Sequence, residues 1–192
     1  MRFFVFTAIK IWLKLLNSIE IRGLENVPEK GALIMAANHL SNADPPAIAA
    51  FASGVRPISI MAKKELFKYS AAAWLLRRFG AIPVDRHSEG GAVSALKRAL
   101  EALKGGGCLL LFPEGTRARG RELEPKSGIA YLAHKTGAPV LPVRIFNSEN
   151  FSKLGKIIIV FGKAVSFDPG LGKDGYRDFA AGVMEKIFSI EP

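Results

Sequence analysis

The chain has 192 residues, 49% of them hydrophobic, and 27 basic residues against 17 acidic ones give it a formal charge of +10. That size and composition suit one well-buried domain and exclude a disordered chain. A single cysteine, Cys108, and three histidines without ligand-like spacing leave no disulfide framework and no metal site to expect, while the positive charge calls for a polyanionic partner: nucleic acid, anionic lipid or a phosphorylated substrate.

Residues 2–18 are the most apolar stretch, yet Lys10 and Lys14 interrupt it, so it falls short of the roughly 20 uninterrupted apolar residues that span a bilayer. No small-residue cleavage site follows, which argues against a signal peptide. Wound at about 100° per residue, Arg2, Thr7, Lys10, Lys14 and Asn17 gather on one side, with Phe3, Phe6 and Leu13 inside that polar arc. Phe4, Val5, Ala8, Ile9, Ile11, Trp12, Leu15 and Leu16 occupy the opposite arc. Two readings fit: an amphipathic helix in the membrane interface, or a helix packed on a sheet.

Ile19–Arg22 alternates as a short strand, and Ala32–Ala37 is a continuous apolar strand that empties into Asn38-His39-Leu40-Ser41-Asn42-Ala43-Asp44. Pro45-Pro46 after Asp44 marks a helix start, with Asp44 as its expected N-cap. Alone, this H-x4-D spacing has two readings: a loop histidine beside a capping carboxylate, or a His–Asp dyad in which the carboxylate orients an imidazole base. Pro57–Ala62 reads as another strand, followed by a helical region from Lys63 to Phe79 whose Ala71–Leu76 core is buried or membrane-facing. Gly80–Arg86 is a short strand ending in Asp85-Arg86, Glu89–Lys104 a helix closed by Gly105-Gly106-Gly107, and Cys108–Phe112 an apolar strand emptying into Pro113-Glu114-Gly115-Thr116-Arg117. A helix at Ser127–Thr136, strands at Val140–Ile145 and Ile157–Phe161, and a helix at Gly175–Ile190 complete the chain. This alternation predicts a single α/β domain with a mostly parallel or mixed central sheet flanked by helices. The expected organisation is an amphipathic, membrane-associated helix over residues 1–18 and the enzymatic domain over 19–192.

In a parallel sheet the carboxyl ends of the strands share one edge, where ligands bind. That edge would carry His39 with Asp44, Asp85 with Arg86, and Glu114 to Arg117. Arginine forks and turn amides bind phosphate, so the set fits a phosphorylated substrate held against a base. Lys126 is a further candidate cation, and Arg119 and Arg121 read as solvated loop residues.

Four segments together resemble the lysophosphatidic acid acyltransferase (1-acylglycerol-3-phosphate O-acyltransferase) family of glycerolipid acyltransferases. They are Asn38-His39 with Asp44, Gly80-Ala81-Ile82-Pro83-Val84-Asp85-Arg86, Phe112-Pro113-Glu114-Gly115-Thr116-Arg117-Ala118-Arg119 (with alanine where serine is usual), and Val140-Leu141-Pro142-Val143. Their order and spacing hold from about Ile19 to about Phe167. The resemblance implies acyl transfer from an acyl-CoA or acyl carrier protein thioester, a co-substrate rather than a cofactor, to the 2-hydroxyl of 1-acylglycerol 3-phosphate, forming phosphatidic acid. It implies catalysis by His39 and Asp44, phosphate binding by Arg86 and Arg117, and an acceptor site shaped by Glu114, Gly115 and Thr116. Asn38, Ser41, Lys126 and Pro142 are further site candidates. The same chemistry on glycerol 3-phosphate, a lyso-phospholipid or a lyso-aminolipid is the alternative. A nucleic-acid-binding module is the rival from another class, though the chain has no base-reading motif. The expected partners are a lysophospholipid, the acyl donor and an anionic membrane surface, without nucleic acid. The expected location is the cytoplasmic face of the cell membrane, peripheral or monotopic.

Overall fold

The apolar strands of the sequence are buried on both faces, as strands of a helix-covered sheet must be. The computed structural model describes residues 2–192 except 79, 86–89, 119, 120, 122 and 154. In chain order the elements are α1 (Arg2–Leu16), β1 (Ser18–Arg22), β2 (Leu33–Ala37), α2 (Asp44–Ala52), β3 (Ile58–Lys63), α3 (Ser70–Arg78), β4 (Ile82–Val84), α4 (Gly91–Lys104), β5 (Cys108–Leu111), α5 (Gly128–Thr136), β6 (Val140–Phe146), β7 (Lys156–Phe161) and α6 (Tyr176–Phe188).

The seven strands form one sheet in the order β1-β7-β6-β2-β5-β3-β4. All neighbours pair in parallel except β6 and β7, which are antiparallel. The mixed, helix-flanked α/β sheet expected from the sequence is therefore the observed one. Period-two alternation splits each buried strand between two cores. Leu33, Met35, Ala37, Cys108 and Leu110 join the core on the α2 side, and Ile34, Ala36, Leu109 and Leu111 join that beneath α4, α5 and α6. Burial pushes the Cys108 thiol up to about 12, which removes it as a nucleophile at neutral pH.

Two local expectations change, and α1 acquires a packing face. α1 packs on α2 and β1, and it does so through the arc that the sequence reads as polar. Phe6, Leu13 and Asn17 are buried, whereas Ala8, Ile11 and Leu15 form an exposed apolar stripe; Leu13 is 1% exposed and Leu15 78%. The reason is local fit. Small Ala49 and Ala50 on α2 receive Phe6, and the Lys10 ammonium lies 5.8 Å from the Phe51 ring, so its stem covers the helix below. The side chains of residues 2–5, 9 and 12 lie outside the described set. The helical region expected from Lys63 to Phe79, whose last residue lies outside the described ones, is two pieces, a 3-10 turn over Lys64–Lys68 and α3, separated by Tyr69 in an extended conformation (φ −89°, ψ 117°). Finally, Asp44 does not cap α2. It is the first helical residue, Ala43 takes the cap position, and the carboxylate is drawn backwards to the preceding loop.

Register places the strand ends. Met35 and Ile60 both pair with Leu110, and Lys63 pairs with Val84. Counting forward, His39, Glu114, Lys64 and Asp85 stand at one level along the carboxyl edge, in the strand order β2, β5, β3, β4.

Candidate active site

The site is built on the exit from β2. Asn38 is buried and gives both ends of its amide to one residue of β6: Nδ2 donates to the Ile145 carbonyl at 2.9 Å, and Oδ1 accepts from the Ile145 amide at 2.8 Å. The side chain thus acts as one more rung of the β2–β6 ladder and fixes where the backbone leaves the sheet. His39 is the next residue. Its carbonyl accepts from the Ala118 amide at 2.9 Å, and its own amide donates to the Glu114 carboxyl. The loop after β5 therefore holds the His39 main chain at both polar groups.

His39 Nδ1 lies 2.9 Å from Asp44 Oδ2. The same oxygen accepts from the amides of Leu40 and Ser41, each at 2.7 Å. An oxygen that collects three donors is an acceptor throughout, so the ring proton sits on Nδ1 and Nε2 carries the free lone pair. The ring face stacks on Phe112, centroids 4.2 Å apart and planes inclined at 26°. Contact below and a hydrogen bond at one edge leave the imidazole little freedom to turn. Asp44 is fully buried; held by two amides as well as by the ring, its carboxylate can stabilise an imidazolium. Ser41 serves the same turn, its hydroxyl accepting from the Ala43 amide at 3.2 Å.

Glu114 is the second buried carboxyl at this edge. Desolvation raises its pKa from 4.5 to about 7, with Asp44 adding to the rise and the His39 amide opposing it. Gly115 turns the loop at φ 72°, a left-handed conformation that calls for glycine, and a Cβ there would stand 2.6 Å from the flexible Lys126 Cε. The Lys126 side chain crosses Gly115, and its amide donates to the Pro113 carbonyl at 2.9 Å. Thr116 is exposed and Arg117 half-buried, and Arg117 has no ion pair among the described residues. Pro142 sits within β6 opposite Ala36, three residues and roughly 10 Å back from the edge. Its missing amide falls between the Val140–Val165 bridge and the β6–β7 ladder, which begins at Val143. Arg86 and Arg119 lie outside the described residues.

Two contributions escape the sequence reading. Phe112, just before the Pro-Glu-Gly-Thr run, supplies the stacking face for His39. Lys64, the residue after β3, stands at the level of His39 and pairs with Asp85 at 3.0 Å; extending the strand-end rule to Pro57–Ala62 would have found it. Beyond this pair, an open cavity of about 350 Å³ is lined by Lys64, Asp85, Ser94, Arg98 and the start of α4 at Gly91. Lys64, Arg98 and the amino end of a 14-residue helix, which no described side chain caps, give it an anion-binding character. Among the described residues no three His, Cys, Asp or Glu side chains gather to hold a metal.

A family model described as Acyltransferase matches residues 18–146. The chain belongs to this acyltransferase family. It is 34% identical over 165 residues to a 1-acyl-sn-glycerol-3-phosphate acyltransferase of Borreliella burgdorferi, covering 85% of this chain and 61% of that one. Against the chloroplastic 1-acyl-sn-glycerol-3-phosphate acyltransferase BAT2 of Brassica napus it is 31% identical, over 71% of this chain and 39% of the relative. The chain thus spans less than two thirds of the length of either. The crystal structure of the 1-acyl-sn-glycerophosphate (LPA) acyltransferase PlsC from Thermotoga maritima superposes with a TM-score of 0.71 at 28% identity, over 98% of this chain and 81% of that one.

Proposed function

We propose that this acyltransferase moves a fatty acyl group from an acyl thioester to the 2-hydroxyl of 1-acyl-sn-glycerol 3-phosphate and so forms phosphatidic acid. The observation that carries the reading is the His39–Asp44 pair, with Nδ1 held at 2.9 Å by an oxygen that also takes two amide donors. Nε2 of His39 removes the hydroxyl proton as the oxygen attacks the thioester carbonyl. Asp44 stabilises the imidazolium that results. Collapse of the tetrahedral intermediate expels the thiolate, which takes the proton back from His39. Bonds and protons balance without an acyl-enzyme, in keeping with the inert Cys108.

Arg86 and Arg117 hold the acceptor phosphate in this reading, and the cationic cavity at Lys64 and Arg98 suits its charge. Glu114, Gly115 and Thr116 shape the acceptor site, with Lys126 beside them. Asn38 and Ser41 act through the loop they fix, and Pro142 through the strand beneath it. Acyl-CoA and acyl carrier protein present the same thioester, and the donor is one or the other. No helix among the described residues is long and apolar enough to cross a membrane. The outward stripe of Ala8, Ile11 and Leu15 fits residues 1–18 working as an interface helix for residues 19–192, on an anionic membrane at its cytoplasmic face.

The test offers a radiolabelled acyl thioester, as CoA and as acyl carrier protein ester, to 1-acylglycerol 3-phosphate, glycerol 3-phosphate, lyso-phospholipids and a lyso-aminolipid. Labelled phosphatidic acid as the dominant product is expected. Preferential labelling of another acceptor would keep the chemistry and replace the substrate.

A further inference from the structure

We infer that the segment from Lys63 to Arg77 is a second membrane contact, separate from α1, which seats Leu66, Tyr69 and Trp74 in the headgroup layer of an anionic bilayer beside the acyl-acceptor site. Three large apolar side chains stand in solvent here within nine residues: Leu66 is 45% exposed, Tyr69 71% and Trp74 55%. The fold accounts for their outward direction. Among the described side chains of α3, Ala73 is buried, while Ser70, Trp74 and Arg77, at helical spacing, share an exposed face. The extended Tyr69 links this face to the 3-10 turn carrying Leu66.

The surrounding charge selects the occupant. Lys63, Lys64, Lys68 and Arg77 are exposed around the three apolar groups, against one exposed acid, Glu65. Lys64 is shared with Asp85, which leaves Lys63, Lys68 and Arg77 to face outward. Tyrosine and tryptophan with an apolar body and a polar tip, interleaved with long cations, are the composition of a bilayer interface. Each basic residue near an anionic leaflet adds attraction. Lys68 stands between Leu66 and Tyr69 in the chain, and the break at Tyr69 puts Leu66 and Trp74 on different elements, so no single helix face offers a helix or peptide partner a continuous apolar seat.

Position gives the contact a use. β3 runs parallel to β2, and the register puts Lys63 and Lys64 level with Asn38 and His39 on the carboxyl edge. A surface anchored there holds that edge against the lipid, so an acceptor could reach His39 with its acyl tail still in the bilayer. This inference rests on the acyltransferase reading for its purpose, though the contact itself is measurable without turnover.

The chain has two tryptophans, Trp12 and Trp74, so Trp12→Phe leaves Trp74 as the sole reporter. With an excess of phosphatidylcholine vesicles containing about one third phosphatidylglycerol, Trp74 emission is expected to shift to the blue and to be quenched by brominated acyl chains. Emission that stays that of a solvent-exposed indole while the protein floats with the vesicles would overturn the contact. So would a blue shift produced by protein concentration alone or by an acidic carrier protein, without lipid. The variant Leu66→Ser/Tyr69→Ser/Trp74→Ser should bind the same vesicles about tenfold more weakly or worse, with circular dichroism and melting unchanged. Unchanged vesicle affinity would also overturn it. On a short-chain, micelle-free acceptor this variant should turn over like the wild type. If neither protein acylates the acceptor while Trp74 is still quenched, the function falls and the membrane contact stands.

Discussion

The two ends of the parallel strands both bury charge, and they treat it in opposite ways. At the amino ends of β2, β5 and β3, buried Arg56 donates to the carbonyls of Pro28 at 2.9 Å, Gly31 at 2.6 Å and Gly106 at 2.9 Å. One guanidinium ties together the turns that enter three neighbouring strands, and every acceptor is main chain. At the carboxyl ends, Asp44 and Glu114 are also buried, and there the Asp44 carboxylate meets the His39 ring at 2.9 Å in place of carbonyls. The Asp44 carboxylate faces a ring that can take up a proton, whereas every hydrogen bond of Arg56 goes to a carbonyl that cannot. Buried charge bonded only to carbonyls holds the fold; buried charge facing a titratable ring and an open edge serves chemistry.

Substitutions can break that contrast. His39→Ala should lower transfer by about 10³- to 10⁴-fold while the melting temperature stays near wild type. Retained turnover would remove His39 from the mechanism. Asp44→Asn keeps the shape but lets the ring flip its tautomer, and should lower kcat by about 10²- to 10³-fold with a smaller change in KM. Arg56→Met should do the reverse. It should cost about 2–4 kcal/mol in denaturant unfolding and leave kcat per folded molecule unchanged; a kcat loss without a stability loss would erase the distinction between the two ends.

Glu114→Gln sharpens the comparison by pH. The folded-state pKa of Glu114, about 7, lies above its ordinary 4.5. The protonated form is therefore favoured by folding, and that contribution is complete below about pH 4.5 and lost as pH rises through 7. The wild type should lose stability relative to Glu114→Gln across that window. Parallel melting curves from pH 4.5 to 8 would mean that the carboxyl is not desolvated.

The carboxyl edge was legible in the sequence because parallel strands announce it. Apolar runs emptying into Asn38-His39, Asp85 and Pro113-Glu114 need only the rule that such ends align. What stayed hidden depended on contacts distant in the chain. Arg56 draws meaning only from carbonyls up to fifty residues away. α1 shows its packing side only against Ala49 and Ala50 of α2, a contact that the helical pattern by itself does not carry. Asp44 looked like a helix cap because Pro45-Pro46 marks a helix start, yet its carboxylate follows the amides of Leu40 and Ser41. The break at Tyr69 is a backbone choice that composition does not encode, and Leu66, Tyr69 and Trp74 stand exposed around it.

The central claim is that Asp44 fixes the His39 proton on Nδ1 and leaves Nε2 as the base. Nitrogen-15 NMR of histidine-labelled protein reads that directly, with only His39, His87 and His134 to assign. The account predicts that neutral His39 shows a protonated Nδ1 and an unprotonated Nε2, a pattern lost in Asp44→Asn. A His39 signal with the proton on Nε2, unchanged by Asp44→Asn, would contradict it.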